Sequence, residues 1–239
     1  MVNVPPLVHK IAEVLAPTEV KLVVGFVRNH LENRHTGHTD LDLCTPALPE
    51  TVEAACTAAN LLVNAKGKSF GVIAVSHEQI SAEVATLRKD IAPDGRHTKV
   101  EFTTDWKTDS WRRDFTFNAI YLGLDGTMLD FHHGQRDLHN HHVRFIGDPA
   151  RRIQEDQLRF WRYLRFCGTY GVPPEMDEIL QQSVPLLDMQ NRKYMARAQY
   201  ELKKLQKTEH FDSIFIIMQQ HNLDFYQLMS KATDKGDIS

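Results

Sequence analysis

The chain has 239 residues, of which 42% are hydrophobic and 25% charged, and its formal net charge is −3 at pH 7. These values predict a globular protein with a sizeable core and exclude a chain that coats nucleic acid through bulk positive charge. Because the N-terminal residues contain no apolar run long enough for a signal peptide or a membrane span, we expect a cytoplasmic protein without a membrane partner. Cys44, Cys56 and Cys167 lack C-x-x-C spacing, which predicts buried thiols in a reducing compartment.

Hydrophobic periodicity divides the chain into a mixed first part and a helical second part. In chain order, the first part has a helix over 6–16, a buried strand over 19–27, a short helix and loop over 28–38, a strand over 38–45, a helix over 50–64, two strands over 69–90, a polar loop over 91–99 and strand-like pieces over 111–146. From Pro149 the pattern is helical, over 151–171, 174–189, 192–207 and 211–223. We therefore predict a head over residues 1–148, a helical segment over 149–229 and a polar tail over 230–239.

The stretch HTDLDLCT places two acids, Asp40 and Asp42, one residue apart in an apolar run. In a strand, their side chains project to the same side while Leu41 and Leu43 enter the core. Two anions held this close repel each other, and a divalent cation that prefers oxygen ligands, such as Mg²⁺, relieves the repulsion. The alternative is a strand at the edge of a sheet whose two acids face solvent.

Two further segments carry residues suited to phosphate. In VGFVRNHL, Gly25 permits close backbone approach at a strand-to-helix turn and Arg28 adds a charge-assisted contact, although a structural turn is the alternative. WRRDFTFNA has two adjacent arginines followed by an acid and an asparagine, namely Arg112, Arg113, Asp114 and Asn118. Beside a metal-binding acid pair these arginines suggest a triphosphate clamp, and the alternative is a surface ion pair.

The stretch QEDQLRFWRYLRF predicts a helix on which three charged residues share one face. Asp156 and Arg159 are three residues apart and Arg162 continues the same face. The alternative to a functional group of side chains is a simple salt bridge between neighbouring helical turns, which is worth a few tenths of a kcal/mol.

The order of these motifs resembles a known family. V-G-x-V-R, D-L-D, R-R-D-F-T-x-N-A, G-x-x-D-L and E-D-x-x-R-x-x-R follow one another as in the class II tRNA nucleotidyltransferases, which include the CCA-adding enzymes and bacterial poly(A) polymerases. The resemblance runs from about Val20 to Phe166, and YELKKL resembles part of the family's neck. It implies an α+β fold, with a polymerase-β-like head of mixed sheet and flanking helices followed by a small all-helical neck.

The resemblance also implies a role for each motif. Asp40 and Asp42 would be the catalytic metal ligands for Mg²⁺, and Glu83 lies where a neighbouring strand could add a third carboxylate. The phosphates or sugar of the nucleotide would contact the motif residues Gly25, Arg28, Arg112, Arg113, Asp114 and Asn118. Asp156 and Arg159, continued by Arg162, would select the base of the incoming CTP or ATP.

The chemistry of the bases agrees with that selection. Cytosine and adenine both present an amino donor beside a ring-nitrogen acceptor, which an aspartate and an arginine can match. Uracil and guanine present the reverse order and leave both side chains unpaired, which can reject a substrate by on the order of 10⁴-fold. We therefore expect template-independent addition of CCA to the 3′ end of tRNA, with release of pyrophosphate. The alternatives are partial tailing (CC, A or poly(A) addition), a head that binds tRNA or nucleotide without catalysis, and transfer to another small RNA or a protein.

The chain departs from the family pattern in three respects. Val24 occupies the place of the first of the family's paired glycines, and Asn29 the place of an acid that could orient Arg28. Family members are usually longer, with body and tail domains after the neck. Residues 151–207 contain eleven Lys or Arg and seven Asp or Glu, so we expect tRNA binding to depend on this mildly basic segment, on a homodimer or on another partner.

Overall fold

A computed structural model of the chain describes residues 2–34, 41–91, 99–174, 179 and 187–230. Asp40, most of the predicted loop over 91–99 and most of the predicted tail lie outside the described residues. The chain divides into two compact units, Met1–Asn140 and His141–Ser239. No helix within the described residues is long and apolar enough to cross a membrane.

The first unit combines a mixed sheet, a hairpin and flanking helices. Its strands are β1 (Lys21–Leu22), β2 (Leu41–Thr45), β3 (Leu62–Asn64), β4 (Val72–His77), β5 (Ile80–Thr86), β6 (Arg88–Ile91), β7 (Lys99–Phe102), β8 (Ile120–Gly123) and β9 (Met128–Asp130). Its helices are α1 (Pro6–Val14), α2 (Val24–Leu31), α3 (Pro49–Ala58), α4 (Trp106–Ser110) and α5 (Gly134–His139), with 3₁₀ turns at Lys68–Phe70 and Thr116–Asn118.

Within the described residues, seven strands form one sheet in the order β3-β4-β5-β2-β1-β8-β9. β2 and β5 run parallel, whereas the other neighbouring strands of this sheet are antiparallel. β6 and β7 form a separate antiparallel hairpin. This arrangement confirms the predicted α+β fold with a mixed sheet and flanking helices.

One face of the sheet carries the main hydrophobic core. Leu41 and Leu43 of β2 are buried on this face, as the alternation of β2 predicts, together with Val84 of β5. Helices α1 and α3 cover the face with apolar side chains such as Ile11 and Val52, both fully buried. The opposite face of β2 carries Asp42 and Cys44, so the two faces of this strand serve packing and polar chemistry separately.

Two predicted elements in this unit end earlier than predicted, because the backbone changes direction inside the predicted ranges. The strand predicted over 19–27 ends after Leu22, since Val24 has a φ of 55° and begins α2. The helix predicted over 50–64 ends at Ala58, since Asn60 has a φ of 57° and Leu61 N donates to the Cys56 carbonyl. Both are local reversals that apolar periodicity does not encode, and the second is a common way to end a helix.

The second unit is helical. It contains α6 (Pro149–Glu155), α7 (Leu158–Tyr170), α8 (Arg192–Leu205), α9 (Phe211–Gln220) and α10 (Phe225–Ser230). The helix predicted over 151–171 is interrupted at Asp156, whose backbone is extended (φ −147°, ψ 101°) and whose Oδ1 accepts a 3.1 Å hydrogen bond from Leu158 N. A short polar side chain that bonds to nearby backbone favours such a break. The predicted helical character is confirmed for the described residues of this part, whereas most of the helix predicted over 174–189 lies outside them.

Helix α7 is the centre of the second unit. Trp161 is fully buried and its Nε1 donates to Tyr194 Oη of α8 over 2.6 Å. Arg165 Nε of α7 donates to Glu201 Oε2 of α8 over 2.8 Å. A Cβ at Gly168 would lie 2.6 Å from Thr208 Oγ1, so glycine permits the close approach of α7 to the residues that follow α8.

Candidate active site

Asp42 lies beside a second carboxylate. The parallel pairing of β2 with β5 aligns Asp42 with Glu83, so both side chains project from the same face of the sheet. They line a pocket of about 340 Å³ together with Leu41, Ala74, Ser81 and Ala82. Carboxylate oxygens are the ligand type that Mg²⁺ prefers. The donor set therefore fits the predicted metal, and Asp40 belongs to the segment outside the described residues.

The start of α2 adjoins this acid pair. Val23 N donates to the Asp42 carbonyl over 3.0 Å, which places the first turn of α2 beside the start of β2. Among the described residues, a Cβ at Gly25 would meet no atom within 4 Å, so the space in front of Gly25 is open. Val24 has a φ of 55°, a conformation that a β-branched residue rarely adopts and that glycine adopts without strain. This conformation explains why glycine suits the position in the family pattern.

Arg28 is held by a chain of hydrogen bonds that ends at a buried acid. Arg28 Nη1 donates to Asn118 Oδ1, and Asn118 Nδ2 donates to Asp114 Oδ1 over 2.8 Å. Asn118 is 4% exposed and Asp114 is 8% exposed. Both ends of the Asn118 amide are therefore used within the protein, and this side chain orients Arg28. Arg28 is thus oriented through Asn118 and does not require an acid at position 29, where the family pattern has one.

The motif G-x-x-D-L supports the turn that carries Asn118. Asp137 is buried and its Oδ2 accepts a 2.6 Å hydrogen bond from Thr116 Oγ1. A Cβ at Gly134 would lie 2.2 Å from the Thr116 carbonyl oxygen, so only glycine lets α5 approach this closely. The motif thus has a packing role at the 3₁₀ turn.

Asp109 is the residue of this region that the sequence analysis missed. It is fully buried and accepts hydrogen bonds from Arg112 Nε (2.9 Å), Arg113 Nη2 (3.1 Å) and Tyr121 Oη (2.7 Å). It also accepts a 3.0 Å bond from Arg88 N at the start of the hairpin. The signal was present, because Asp109 precedes the two arginines by three and four residues, the spacing of neighbouring turns in a helix.

The charges around Asp109 shift several pKa values. Burial raises the pKa of Asp109, but the attraction of Arg113 and Arg112 and hydrogen bonds from Tyr121 and Arg88 N outweigh it, so the pKa falls below its ordinary value. Burial raises the pKa of Tyr121. Burial likewise raises the pKa of Cys44, whose Sγ accepts from Arg113 Nη2 over 2.9 Å. At neutral pH the site therefore contains an ionised Asp109, a neutral phenol and a neutral thiol.

These contacts show where the two arginines of the predicted triphosphate clamp lie. Arg113 is 9% exposed and bridges Asp109 and Cys44. Cys44 follows Asp42 by two positions in β2, so the two side chains share a face of this strand. Arg112 is 15% exposed and pairs with the other oxygen of Asp109. The two arginines are therefore fixed on a shared buried carboxylate, a different arrangement from a surface ion pair.

The second unit holds the predicted base-selecting residues. Asp156 Oδ2 accepts a 3.4 Å bond from Arg162 Nη2, and both side chains are about one-third exposed. Arg159 is 8% exposed, and its Nη1 donates to the Arg152 carbonyl (2.8 Å) and to Glu155 Oε2 (3.0 Å). Asp156 and Arg162 are thus brought together, whereas Arg159 contacts the preceding helix. The backbone joins Asp156 and Arg159 directly, since Arg159 N donates to the Asp156 carbonyl over 3.0 Å.

Comparison with known proteins places this geometry in a family. A family model described as the poly(A) polymerase head domain matches residues 20–144, just over half of the chain. The chain is 43% identical over 161 residues to the mitochondrial CCA tRNA nucleotidyltransferase 1 of Danio rerio, covering 67% of this chain and 37% of the relative. It is 33% identical over 206 residues to the CCA-adding enzyme of Bacillus pumilus, covering 84% of this chain and 49% of the relative.

Solved structures agree with the sequence comparison. The CCA-adding enzyme of Bacillus stearothermophilus in complex with CTP superposes with a TM-score of 0.74 at 26% identity, covering 92% of this chain and 53% of that one. The chain thus spans about half, or less, of the length of these relatives. Its polymerase-β-like head and the helices that follow are confirmed. The chain belongs to the family of class II CCA-adding enzymes and poly(A) polymerases, and it contains the nucleotidyltransferase head of that family.

Proposed function

We propose that this chain adds C and A nucleotides from CTP and ATP to the 3′ end of tRNA, without a nucleic-acid template and with release of pyrophosphate. The observation that carries the proposal is the in-register pair of Asp42 and Glu83 facing an open pocket in a head of this family. Two acids next to a pocket are suited to nucleotidyl transfer, in which a hydroxyl attacks the α-phosphorus of a nucleotide.

Asp40 and Asp42 are the residues that would hold Mg²⁺, with Glu83 as the third carboxylate. When bound, Mg²⁺ neutralises phosphate charge and lowers the pKa of a coordinated hydroxyl. For Asp40, which lies outside the described residues, the D-x-D spacing of the sequence predicts the same face as Asp42, since residues two apart in a strand share a face. Asp42 and Glu83 lie in register on neighbouring strands, so a cation held between them would offset the repulsion of the two carboxylates.

The first turn of α2 is the proposed phosphate site. The open space in front of Gly25 admits a phosphate close to the backbone, and Arg28 supplies a charge-assisted hydrogen bond. Because Asn118 and Asp114 orient Arg28 before the substrate binds, Arg28 loses less conformational entropy when it contacts the phosphate. Arg113 and Arg112 add positive charge around the same face of the sheet, whereas Asn118 acts through Arg28.

Asp156 and Arg159 are proposed to select the base. A carboxylate oxygen of Asp156 accepts from the amino group of cytosine or adenine, and the Arg159 guanidinium donates to the adjacent ring nitrogen. The bonds of Arg159 Nη1 to the Arg152 carbonyl and to Glu155 support the proposal, because they hold the planar guanidinium in place. Arg162 Nη2 donates to Asp156 Oδ2 and helps to orient this carboxylate. Basic residues between 151 and 207, a homodimer or another partner would then bind the tRNA.

The test is tailing of labelled tRNAs that end before, within and after CCA. The purified chain is incubated with Mg²⁺ and with CTP, ATP, UTP or GTP alone, or with CTP and ATP together. Asp42→Asn removes the proposed metal ligand, and Glu13→Gln is the matched control, since Glu13 is an exposed acid on α1 of the same unit. Light scattering of the same sample gives its oligomeric state.

Stepwise growth to CCA followed by a stop, abolished by Asp42→Asn and retained by Glu13→Gln, is the expected result. Addition of C alone, of A alone or of an A tail would replace the proposal with a partial tailing enzyme. Nucleotide binding without extension of any tRNA would indicate a binding head, and extension of other RNAs with equal efficiency would exclude a tRNA-specific function.

A further inference from the structure

The basic residues of the second unit fall into two groups, those that pair with an acid and those that do not. Residues 151–207 contain eleven Lys or Arg. Five of them form ion pairs with Glu155, Asp156 or Glu201, namely Arg151, Arg152, Arg159, Arg162 and Arg165. Among the described residues, the other six have no acidic partner, and they lie on α8 or within two residues of its end: Arg192, Lys193, Arg197, Lys203, Lys204 and Lys207. The unpaired positive charge is therefore concentrated on one helix.

Four residues of α8 share one exposed face, which we call the α8 face. They follow one another at spacings of four, three and four residues, the neighbour positions of a helix: Lys193, Arg197, Tyr200 and Lys204. The opposite face of α8 packs into the unit, where Ala198 and Leu202 are fully buried. Glu201 is turned towards α7 and is neutralised by Arg165. The α8 face therefore presents three cations to solvent over a length of about 16 Å.

An exposed aromatic ring lies in the middle of the α8 face. Tyr200 is 61% exposed, a high value for a large ring. Lys204 Nζ lies 4.2 Å from the centroid of the Tyr200 ring, so the ammonium contacts one face of the ring and the rest is turned to solvent. Surfaces that bind single-stranded nucleic acid combine these two features, because bases stack on exposed rings while cations follow the phosphates.

We propose that the α8 face binds single-stranded RNA, with its three cations on backbone phosphates and Tyr200 stacked on an unpaired base. Charge complementarity carries the inference, since cations without acidic partners attract a polyanion even in a chain whose formal net charge is −3. Duplex RNA has the phosphates, but its bases are paired and stacked on one another, so it cannot use Tyr200. An acidic peptide has the charge and lacks the base.

The choice of RNA as the partner rests on the proposed function, but the interaction itself needs no catalysis. A chain that binds RNA through the α8 face and extends no tRNA fails the proposed function and leaves this surface standing. Conversely, a chain that completes CCA while its α8 variants bind RNA normally keeps the proposed function and loses this surface. Binding and tailing are therefore measured separately.

The first experiment removes the three cations of the α8 face together, as Lys193→Gln, Arg197→Gln and Lys204→Gln. The control removes three exposed lysines of the first unit, as Lys66→Gln, Lys89→Gln and Lys99→Gln, and makes the same change in net charge. The affinity of a fluorescent oligouridylate is measured by anisotropy from low to high salt. Circular dichroism and urea unfolding confirm that each variant is folded.

We expect the α8 variant to weaken oligouridylate binding on the order of tenfold or more. It should lower the slope of log affinity against log salt by about 2, because each single-strand phosphate contributes about 0.7. The control should change both quantities far less. Equal losses in the two variants would show that only total charge matters and would overturn the inference, as would unchanged binding in the folded α8 variant.

The second experiment tests the aromatic contact by comparing Tyr200→Leu with Tyr226→Leu. Tyr226 lies on α10 of the same unit and is 63% exposed, so both variants replace an exposed tyrosine with an apolar side chain. Tyr200→Leu should weaken oligouridylate binding on the order of tenfold with an unchanged salt slope, because a stacked base is lost and no charge is removed. Tyr226→Leu should have little effect. Binding of duplex RNA or polyglutamate as tightly as oligouridylate would overturn the assignment to single-stranded RNA.

Discussion

The buried carboxylate of Asp109 offers the sharpest test of how the head is held together. Asp109→Asn keeps the size of the side chain and removes its charge, so Arg112 and Arg113 lose the anion that both contact. Breaking a buried ion pair by removing one partner typically costs about 3–5 kcal/mol. For a unit of this size, such a loss corresponds to a fall of roughly 10–15 °C in Tm.

Urea and thermal unfolding of Asp109→Asn against Asp105→Asn provide the assay. Asp105 lies on the same helix, is exposed and caps its N-terminus by accepting from Lys107 N and Thr108 N over 3.1 Å. Asparagine caps a helix nearly as well, so Asp105→Asn should cost only a few tenths of a kcal/mol. Adding Arg112→Gln to Asp109→Asn removes an uncompensated charge. The double variant should therefore lose about 0.5–3 kcal/mol less unfolding free energy than the two single variants lose when their effects are added.

The pH dependence follows from the pKa of Asp109, which the folded protein holds below its ordinary value. A carboxyl group with a lowered pKa stabilises the fold above its unfolded pKa, about 3.9, and loses this contribution as pH falls below it. Unfolding free energy should therefore fall more steeply on acidification in the parent chain than in Asp109→Asn. A cost below about 1 kcal/mol, with additive variants and parallel pH profiles, would refute the central role given to Asp109.

Three further substitutions separate stability from substrate binding. Gly25→Ala fills open space in a helix, so it should leave unfolding free energy unchanged or raise it by about 0.5–1 kcal/mol while weakening nucleotide binding on the order of tenfold in calorimetry. Gly134→Ala forces a Cβ against the Thr116 carbonyl and should destabilise the head by about 1–3 kcal/mol in urea. Asn118→Leu removes the group that orients Arg28 and should raise KM for both CTP and ATP, whereas equal KM values in a folded variant would contradict that role.

The alternation of short apolar segments predicted the local faces of this protein correctly. Leu41 and Leu43 enter the core and Asp42 faces away, because strand periodicity alone decides the side of each residue. The ordered motifs identified the family and its α+β fold. The α+β head followed by helices could therefore be derived from the sequence, whereas the placement of individual site residues could be derived only in part.

Other features of the site were decided only by the tertiary structure. They depend on contacts between residues distant in the chain, or on the backbone angles of single residues at which the chain changes direction. The register of β2 against β5 places Glu83 beside Asp42, and no local pattern encodes that pairing. Val24 ends a strand and Asp156 divides a helix through their own backbone angles, which hydrophobic periodicity does not report. The convergence of Arg88 on Asp109 arises only when the hairpin folds back against α4. Periodicity determines which face a side chain occupies, whereas packing determines which partner it meets there.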